Sequence, residues 1–317
     1  MLTLDLIKQA AERISGRVHR TPVMTSHAFN EVAGCEVFFK CENLQRAGAF
    51  KARGATNKIL SLSDEEKRRG VLAVSSGNHA QAVALAAREA GVRAVVCIPD
   101  DAPKMKVAGM RSYGADIRVF DRHKDDRDAF GREIAEREGL VQVPAYDDYL
   151  IMAGQGTAGL ELVEEVPDLD SVLTPCSGGG LFAGVSTAAK GLNPSIRCFA
   201  VEPETANDTQ QSIAKGERVK IPPPPTIADG LRVQRPGELA FPITRRNAEA
   251  VLTVSDDDII ATMKFILFRM KLLVEPSGAA AAAAVFTKKI PRDCRRVGVV
   301  LSGGNVDSDL LSRILEE

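Results

Sequence analysis

Lysine at the start of a helix is the first residue in this chain that could do covalent chemistry. Lys51 follows an apolar alternating run, Glu36–Leu44, that reads as a strand, and leads into Ala52–Leu62, where apolar residues recur at helical spacing. Small residues and the ring of Phe50 hem it in, a positive helix end disfavours an ammonium, and an easily deprotonated lysine can form a Schiff base with an aldehyde. Alone, the stretch equally describes a solvated lysine opening a helix.

Three turns join it. Ser177-Gly178-Gly179-Gly180-Leu181 lies between a strand and a helix, so its backbone N–H groups and the helix N-terminus would cradle an anion. No Lys-Ser/Thr follows, which argues against a nucleotide P-loop. A dinucleotide fingerprint spanning Gly178, Gly180 and Ala183, with Glu202 at the end of the next strand, is the rival reading, and a plain tight turn is a third. Ser75-Ser76-Gly77-Asn78-His79 is a second strand-to-helix turn. Its backbone could bind a carboxylate, while Asn78 could donate to a phenolic oxygen and Ser76 could move a proton. Ser302–Asn305 is the third. Each is an ordinary turn when taken singly. Together they offer an aldehyde partner, a phosphate cradle, a phenolate donor and a ring-nitrogen partner, which are the needs of pyridoxal 5′-phosphate.

The elements that must position these groups repeat a short β-branched run, a glycine-bearing turn and an alanine-rich helix. Strands are expected at 71–75, 94–98, 117–120, 171–176, 196–201 and 297–301. Helices are expected at 80–90, 104–113, 125–138, 182–191, 259–273 and 277–288. Such alternation implies βαβ units and largely parallel sheets, with the turns converging beyond the strands' carboxyl ends. Pro222–Pro225 reads as a stiff loop, and Ser255–Asp258 as a capping box.

Composition narrows the class. The 317 residues are 44% hydrophobic and 26% charged, with 41 basic against 42 acidic side chains. That balance gives no pull toward nucleic acid or an anionic membrane. No run approaches the roughly 18 apolar residues of a membrane span. Met1–Gly16 carries charges in an amphipathic pattern unlike a signal peptide, and six scattered cysteines read as buried thiols. A cytoplasmic protein without an appended regulatory domain is expected.

The segments Ala49–Ala55, Ser75–Gln81, Ala153–Thr157, Ser177–Leu181, Thr226–Gly230 and Leu301–Asp307 resemble, in order and spacing, the fold-type II pyridoxal-phosphate enzymes of the serine/threonine dehydratase and serine racemase group. The resemblance covers nearly the whole chain. It implies an α/β fold with two open, largely parallel sheets flanked by helices. A small domain, 65–146, would be inserted into a large one made of 1–64 and 147–317, with a homodimer as the assembly. It also implies that Lys51 holds the cofactor as an internal aldimine, with Phe50 against the ring and Asn78 at the phenolic oxygen. Ser177, Gly178, Gly179, Gly180 and Leu181 would hold the phosphate, Ser302 would face the pyridine nitrogen, and Ser75–His79 would bind the substrate carboxylate. Ser177 stands where the group usually has the first of four glycines.

Ser76 matches the racemase serine placed opposite the lysine, whereas the loop Pro144–Asp148 looks more like the dehydratase version. Glu202, the Ala206 carbonyl and Asp208 resemble the divalent-cation loop of the racemase branch, suited to Mg²⁺, with Ca²⁺ or Mn²⁺ as alternatives. His27, Arg46 and Ala47 depart from that branch's nucleotide pattern, which puts nucleotide activation in question. The expected activity is deaminating dehydration of L-serine or L-threonine. Serine racemisation or threo-3-hydroxyaspartate ammonia-lyase activity is the alternative within the same chemistry. A nicotinamide oxidoreductase built on 178–183 and a catalytically silent binding module are readings from other classes.

Overall fold

Two sheets carry the chain in a computed structural model that describes residues 1–102, 104–121 and 123–316. The strands are β1 (Val23–Met24), β2 (Glu36–Cys41), β3 (Val71–Val74), β4 (Ala94–Pro99), β5 (Asp116–Phe120), β6 (Val141–Gln142), β7 (Ser171–Pro175), β8 (Arg197–Pro203), β9 (Ala248–Val254) and β10 (Arg296–Leu301). One sheet has the order β1-β2-β10-β7-β8-β9 and the other β5-β4-β3-β6. Every pairing is parallel except β1 with β2. β4 and β7 are buried along their whole length, as strands covered on both faces must be, which is why they read as unbroken apolar runs. Strands within 23–41 and 171–301 thus build the larger sheet and strands within 71–142 the smaller, in agreement with the α/β architecture expected.

The large sheet packs on a core of Phe29, Phe39, Phe199, Val299 and the fully buried alanines of the helix Pro276–Phe286. Alanine suits that helix because it lets the backbone sit close to the strands without losing side-chain entropy.

Three expectations are corrected. The run 36–44 stops being strand at Cys41, and Glu42–Leu44 form a 3₁₀ turn. The turn brings the Glu42 carboxylate to Arg53, whose Nε lies 2.7 Å away, and to Thr21. The helix expected to reach residue 273 is α-helical only over Asp256–Phe265. It then widens into a π turn, Ile266–Met270, and ends at Lys271 in the left-handed region. Finally, Ala153–Thr157 lies in the middle of Tyr149–Glu165, a 17-residue helix not anticipated because three glycines interrupt it. Those glycines serve close approach. A Cβ on Gly154 would come within 2.6 Å of the Gly54 Cα, and one on Gly54 within 2.5 Å of Gln155 Nε2.

This contact holds the helix Lys51–Leu60, and a buried charge cluster fixes its rotation. Arg53, wholly buried, donates to both Glu42 oxygens (2.7 and 2.8 Å), both Glu161 oxygens (2.7 and 2.8 Å) and the Thr157 hydroxyl (3.1 Å). Lys40, equally buried, pairs with Glu161 at 2.6 Å. Two cations face two carboxylates, so the cluster is neutral and mutually satisfied. Among the described residues no helix is long and apolar enough to cross a membrane. Arg53→Met strips the buried Glu42 of its cation and leaves the part-buried Glu161 only Lys40, and should cost about 3–5 kcal/mol, whereas removing the exposed pair Arg20–Glu164 should cost about 1 kcal/mol or less. Urea unfolding of the two variants measures the contrast.

Candidate active site

Lys51 sits at the first helical position after Phe50, and the ε-amine donates to the Ala145 carbonyl at 2.6 Å. Its nitrogen is 5.1 Å from the centre of the Phe50 ring. Burial strips the ammonium of water and pulls its pKa down to about 8. A sizeable neutral fraction near neutral pH is what a lysine needs in order to act as nucleophile or base.

The Ser302–Asn305 turn is stitched directly onto this stretch. Phe50 N donates to the Ser302 carbonyl (3.0 Å), Gly304 N donates to the Gly48 carbonyl (2.9 Å), and Ala49 bridges Gly303. Asn305 Nδ2 donates to the Ala47 carbonyl (2.7 Å) and to Asn78 Oδ1 (2.9 Å). The Asn78 amide in turn donates to Glu275 at 2.7 Å, and Glu275 N reaches the Gly303 carbonyl at 3.0 Å. Ser302 is buried beside this chain of contacts. Glu275 was not singled out from the sequence. An acid between Val274 and the helix-opening Pro276 is the only local signal of it.

Beyond β3, Ser75 Oγ accepts from Gly77 N at 3.2 Å, and the helix Asn78–Glu89 begins without a side-chain cap. Its first-turn N–H groups therefore lack an acceptor from the cap and are left to a ligand. His79 turns its ring inward, with Nε2 2.8 Å from the Val143 carbonyl, so Nε2 carries the proton. Burial and the nearby Lys51 push this imidazole down to about 3, keeping it neutral. What His79 can offer a ligand is its backbone N–H. At the same rim, Arg127 Nη2 donates to the Val74 carbonyl at 2.7 Å.

Beyond β7, the Ser177–Gly180 turn has the shape an oxyanion needs. Gly179 has φ +89° and opens the helix Gly180–Leu192, so four backbone N–H groups lack helical partners at this point. A Cβ on Gly178 would lie 2.4 Å from the Tyr146 ring, and one on Gly180 2.8 Å from the Tyr146 carbonyl. The Asp147 carboxylate accepts from Glu238, Leu239 and Ala240 N (2.7, 2.9 and 3.1 Å), holding Tyr146 over the turn. Leu181 is buried behind it. The residues present therefore fit a phosphate.

The dinucleotide alternative fails at Glu202. That carboxylate is wholly buried, with its two oxygens accepting from Thr209 N (3.0 Å) and Gln210 N (2.9 Å), so it offers no surface to a ribose, while the second lone pair on each oxygen can still meet a small ion. Opposite it, both carboxylate oxygens of Asp208 are buried with no hydrogen-bond partner among the described residues. Burial and the facing Asp208 push Glu202 up, and burial pushes Asp208 up. Ala206 is buried in the turn between them. Two buried acids and a carbonyl fit a hard divalent cation, and no larger cluster of acids, cysteines or histidines occurs among the described residues.

A buried amine, a phosphate cradle and a phenolate donor on two parallel sheets define a pyridoxal-phosphate enzyme of the second fold type. The chain belongs to the family described as "Pyridoxal-phosphate dependent enzyme", which matches residues 14–303. It is 45% identical over 315 residues to a serine racemase of Schizosaccharomyces pombe, covering 99% of this chain and 98% of that one. It is 46% identical over 301 residues to an L-threo-3-hydroxyaspartate ammonia-lyase of Saccharomyces cerevisiae, covering 95% and 92%. A structure of maize serine racemase superposes with a TM-score of 0.95 at 42% identity, covering 99% and 97%.

Both carboxyl pKa values are raised, so between the ordinary carboxylate range and about pH 8 the cation-free native state holds protons that the unfolded chain has released. Its stability therefore falls as pH rises through that window. A cation favours the ionised pair and cancels the loss. Thermal melts should show the Tm gain from Mg²⁺ over EDTA growing by about 3 °C or more between about pH 5.5 and about pH 8.

Proposed function

We propose that the protein is a hydroxyamino-acid ammonia-lyase that converts L-serine or L-threonine to a 2-oxo acid and ammonia. When bound, pyridoxal 5′-phosphate supplies an aldehyde for the substrate amine and a sink for the electron pair left at Cα. The backbone of Ser177–Leu181 would hold the phosphate through its uncapped N–H groups, and Phe50 would pack against the ring. Asn78, oriented by Glu275 and Asn305, places an N–H at the phenolic oxygen. Ser302, buried beside the site, would offer the ring nitrogen a neutral hydroxyl partner, which would limit delocalisation into the ring and favour loss of the β-hydroxyl.

Substrate carboxylate binds the N–H groups of Ser75–His79 at the positive end of their helix. Lys51, kept partly free of charge by desolvation, would take the α-proton from its own side of the substrate. The β-hydroxyl leaves with a proton as water, and hydrolysis of the unsaturated product releases the 2-oxo acid. Ser76 stands on the opposite face, where its hydroxyl can return a proton and so racemise part of the substrate. Glu202, the Ala206 carbonyl and Asp208 would hold a divalent cation, with a structural rather than a chemical part in the reaction.

We take 65–146 as a small domain inserted between 1–64 and 147–317, closing over the substrate to exclude water, and the active form as a homodimer. Support for a cytoplasmic location is the set of six free cysteines, five of them buried. The observation that carries the reading is the desolvated Lys51 amine, held on the Ala145 carbonyl where the three turns meet.

A second reading, action on threo-3-hydroxyaspartate, is favoured by Arg127. This exposed cation sits at the rim where β3 enters the Ser75–His79 turn, placed to meet a second carboxylate.

Following 2-oxo acid and D-serine together from L-serine tests the main reading. Wild-type protein should form mainly 2-oxo acid, and Lys51→Ala should lose both products and the borohydride-sensitive chromophore. Ser76→Ala should lower D-serine formation about 10²-fold or more with the 2-oxo acid rate nearly kept. Dominant D-serine from the wild type would overturn the assignment. For the second reading, Arg127→Ala should lower kcat/KM for hydroxyaspartate about tenfold or more and leave serine nearly unchanged.

A further inference from the structure

The two anion-managing features of the larger sheet share one residue. β7 and β8 end side by side, with Pro175 paired to Val201 and Cys176 N donating to the Val201 carbonyl at 2.7 Å. The phosphate turn leaves the first strand and Glu202 lies at the end of the second. Thr209, 1% exposed, sits between them. Its N–H donates to Glu202 at 3.0 Å, it follows Asp208 directly in the chain, and its hydroxyl donates to the Ser177 carbonyl at 3.4 Å.

That last contact acts on the cradle through peptide geometry. The Ser177 carbonyl and the Gly178 N–H belong to one planar trans peptide and point in opposite directions. A hydroxyl that holds the carbonyl on the Thr209 side therefore aims the Gly178 N–H the other way. The remaining tethers of the turn, Val233 N on Ser177 Oγ (3.2 Å) and Gly237 N on the Gly178 carbonyl (3.0 Å), fix its flanks; on the Ser177 carbonyl itself Thr209 is joined only by the weak thiol donor of Cys176 at 3.8 Å, so the hydroxyl is the stronger hold. The uncompensated Asp208 carboxylate and Glu202 both bear on the first turn of the helix Asp208–Lys215, where Thr209 resides.

We infer that Thr209 couples the Glu202–Asp208 cation pocket to the phosphate cradle, so that a bound divalent cation tightens the hold on the cofactor's phosphate, and the phosphate tightens the hold on the cation. The inference rests on the assignment of those two pockets to a cation and a phosphate. Thr209 is a positioning residue, since it touches neither ligand's reacting atoms. Linkage requires the two effects to be equal in size.

The test measures equilibrium affinity, independent of turnover. Cofactor-free protein is titrated with pyridoxal 5′-phosphate in Mg²⁺ or EDTA, and Mg²⁺ is titrated with and without the cofactor. Unphosphorylated pyridoxal serves as control. Wild type should bind pyridoxal 5′-phosphate about fivefold tighter or more in Mg²⁺, bind Mg²⁺ tighter by the same factor when cofactor is present, and show no such gain with pyridoxal.

Thr209→Val, which keeps the shape and removes the donor, should bring the factor close to one while Mg²⁺ still raises Tm. Thr209→Ser, which keeps the hydroxyl, should restore it and guards against a valine variant that folds poorly. Full coupling in Thr209→Val, no coupling in wild type, or equal coupling with pyridoxal would overturn the inference alone. Failure of wild type to bind pyridoxal 5′-phosphate at all, or indifference of its Tm to Mg²⁺, would overturn the assignment of the pockets as well.

Discussion

Arg53 is the point on which the active-site half of the molecule turns. A guanidinium with no exposure to water is tolerable only if its donors are met by fixed acceptors, and here two carboxylates from different segments meet them. One of those segments is the 3₁₀ turn after β2, and the other is the long helix Tyr149–Glu165. Because Arg53 lies two residues beyond Lys51, satisfying it sets the rotation and height of the helix that presents the amine. The cluster adds little net free energy compared with an apolar core of the same volume, but it permits one arrangement and penalises others. That is the use of buried charge best suited to a site requiring a fixed nucleophile.

Much of this was legible in the sequence for a local reason. Strands covered on both faces must be apolar throughout, and the turns that follow them must be small and polar, so β4, β7 and β10 and the turns at 75–79, 177–181 and 302–305 announce themselves over a few residues. The capping box at Ser255 and Asp258 is equally local and is present as expected.

The features that could not be read depend on partners far away in the chain. Tyr149–Glu165 looks like a poor helix because its glycines answer to distant segments, Gly154 to Gly54, Gly156 to Ile7 and Gly184, and Gly159 to Val185. Glu275 acquires meaning only when Asn78, 197 residues away, donates to it. Tyr146 belongs to the site because Asp147 is held by residues 238–240. Glu202, which a linear motif assigns to a ribose, is claimed by the helix that begins at Asp208. In each case a short-range pattern was overruled by tertiary packing.

The π turn at Ile266–Met270 has a consequence for how this scaffold can change over time. Widening a helix by one residue shifts the phase of everything downstream by about 100° without lengthening the segment by a full turn. Upstream, the helix Asp256–Phe265 keeps its register on the sheet. Downstream, the left-handed Lys271 and the short stretch after it deliver Glu275 to the site. The extra residue behaves as a frameshift corrected in space, so a single-residue insertion or loss on this stretch would rotate Glu275 out of the site. Drift in such a protein should therefore accumulate by substitution near the site and by insertion only far from it.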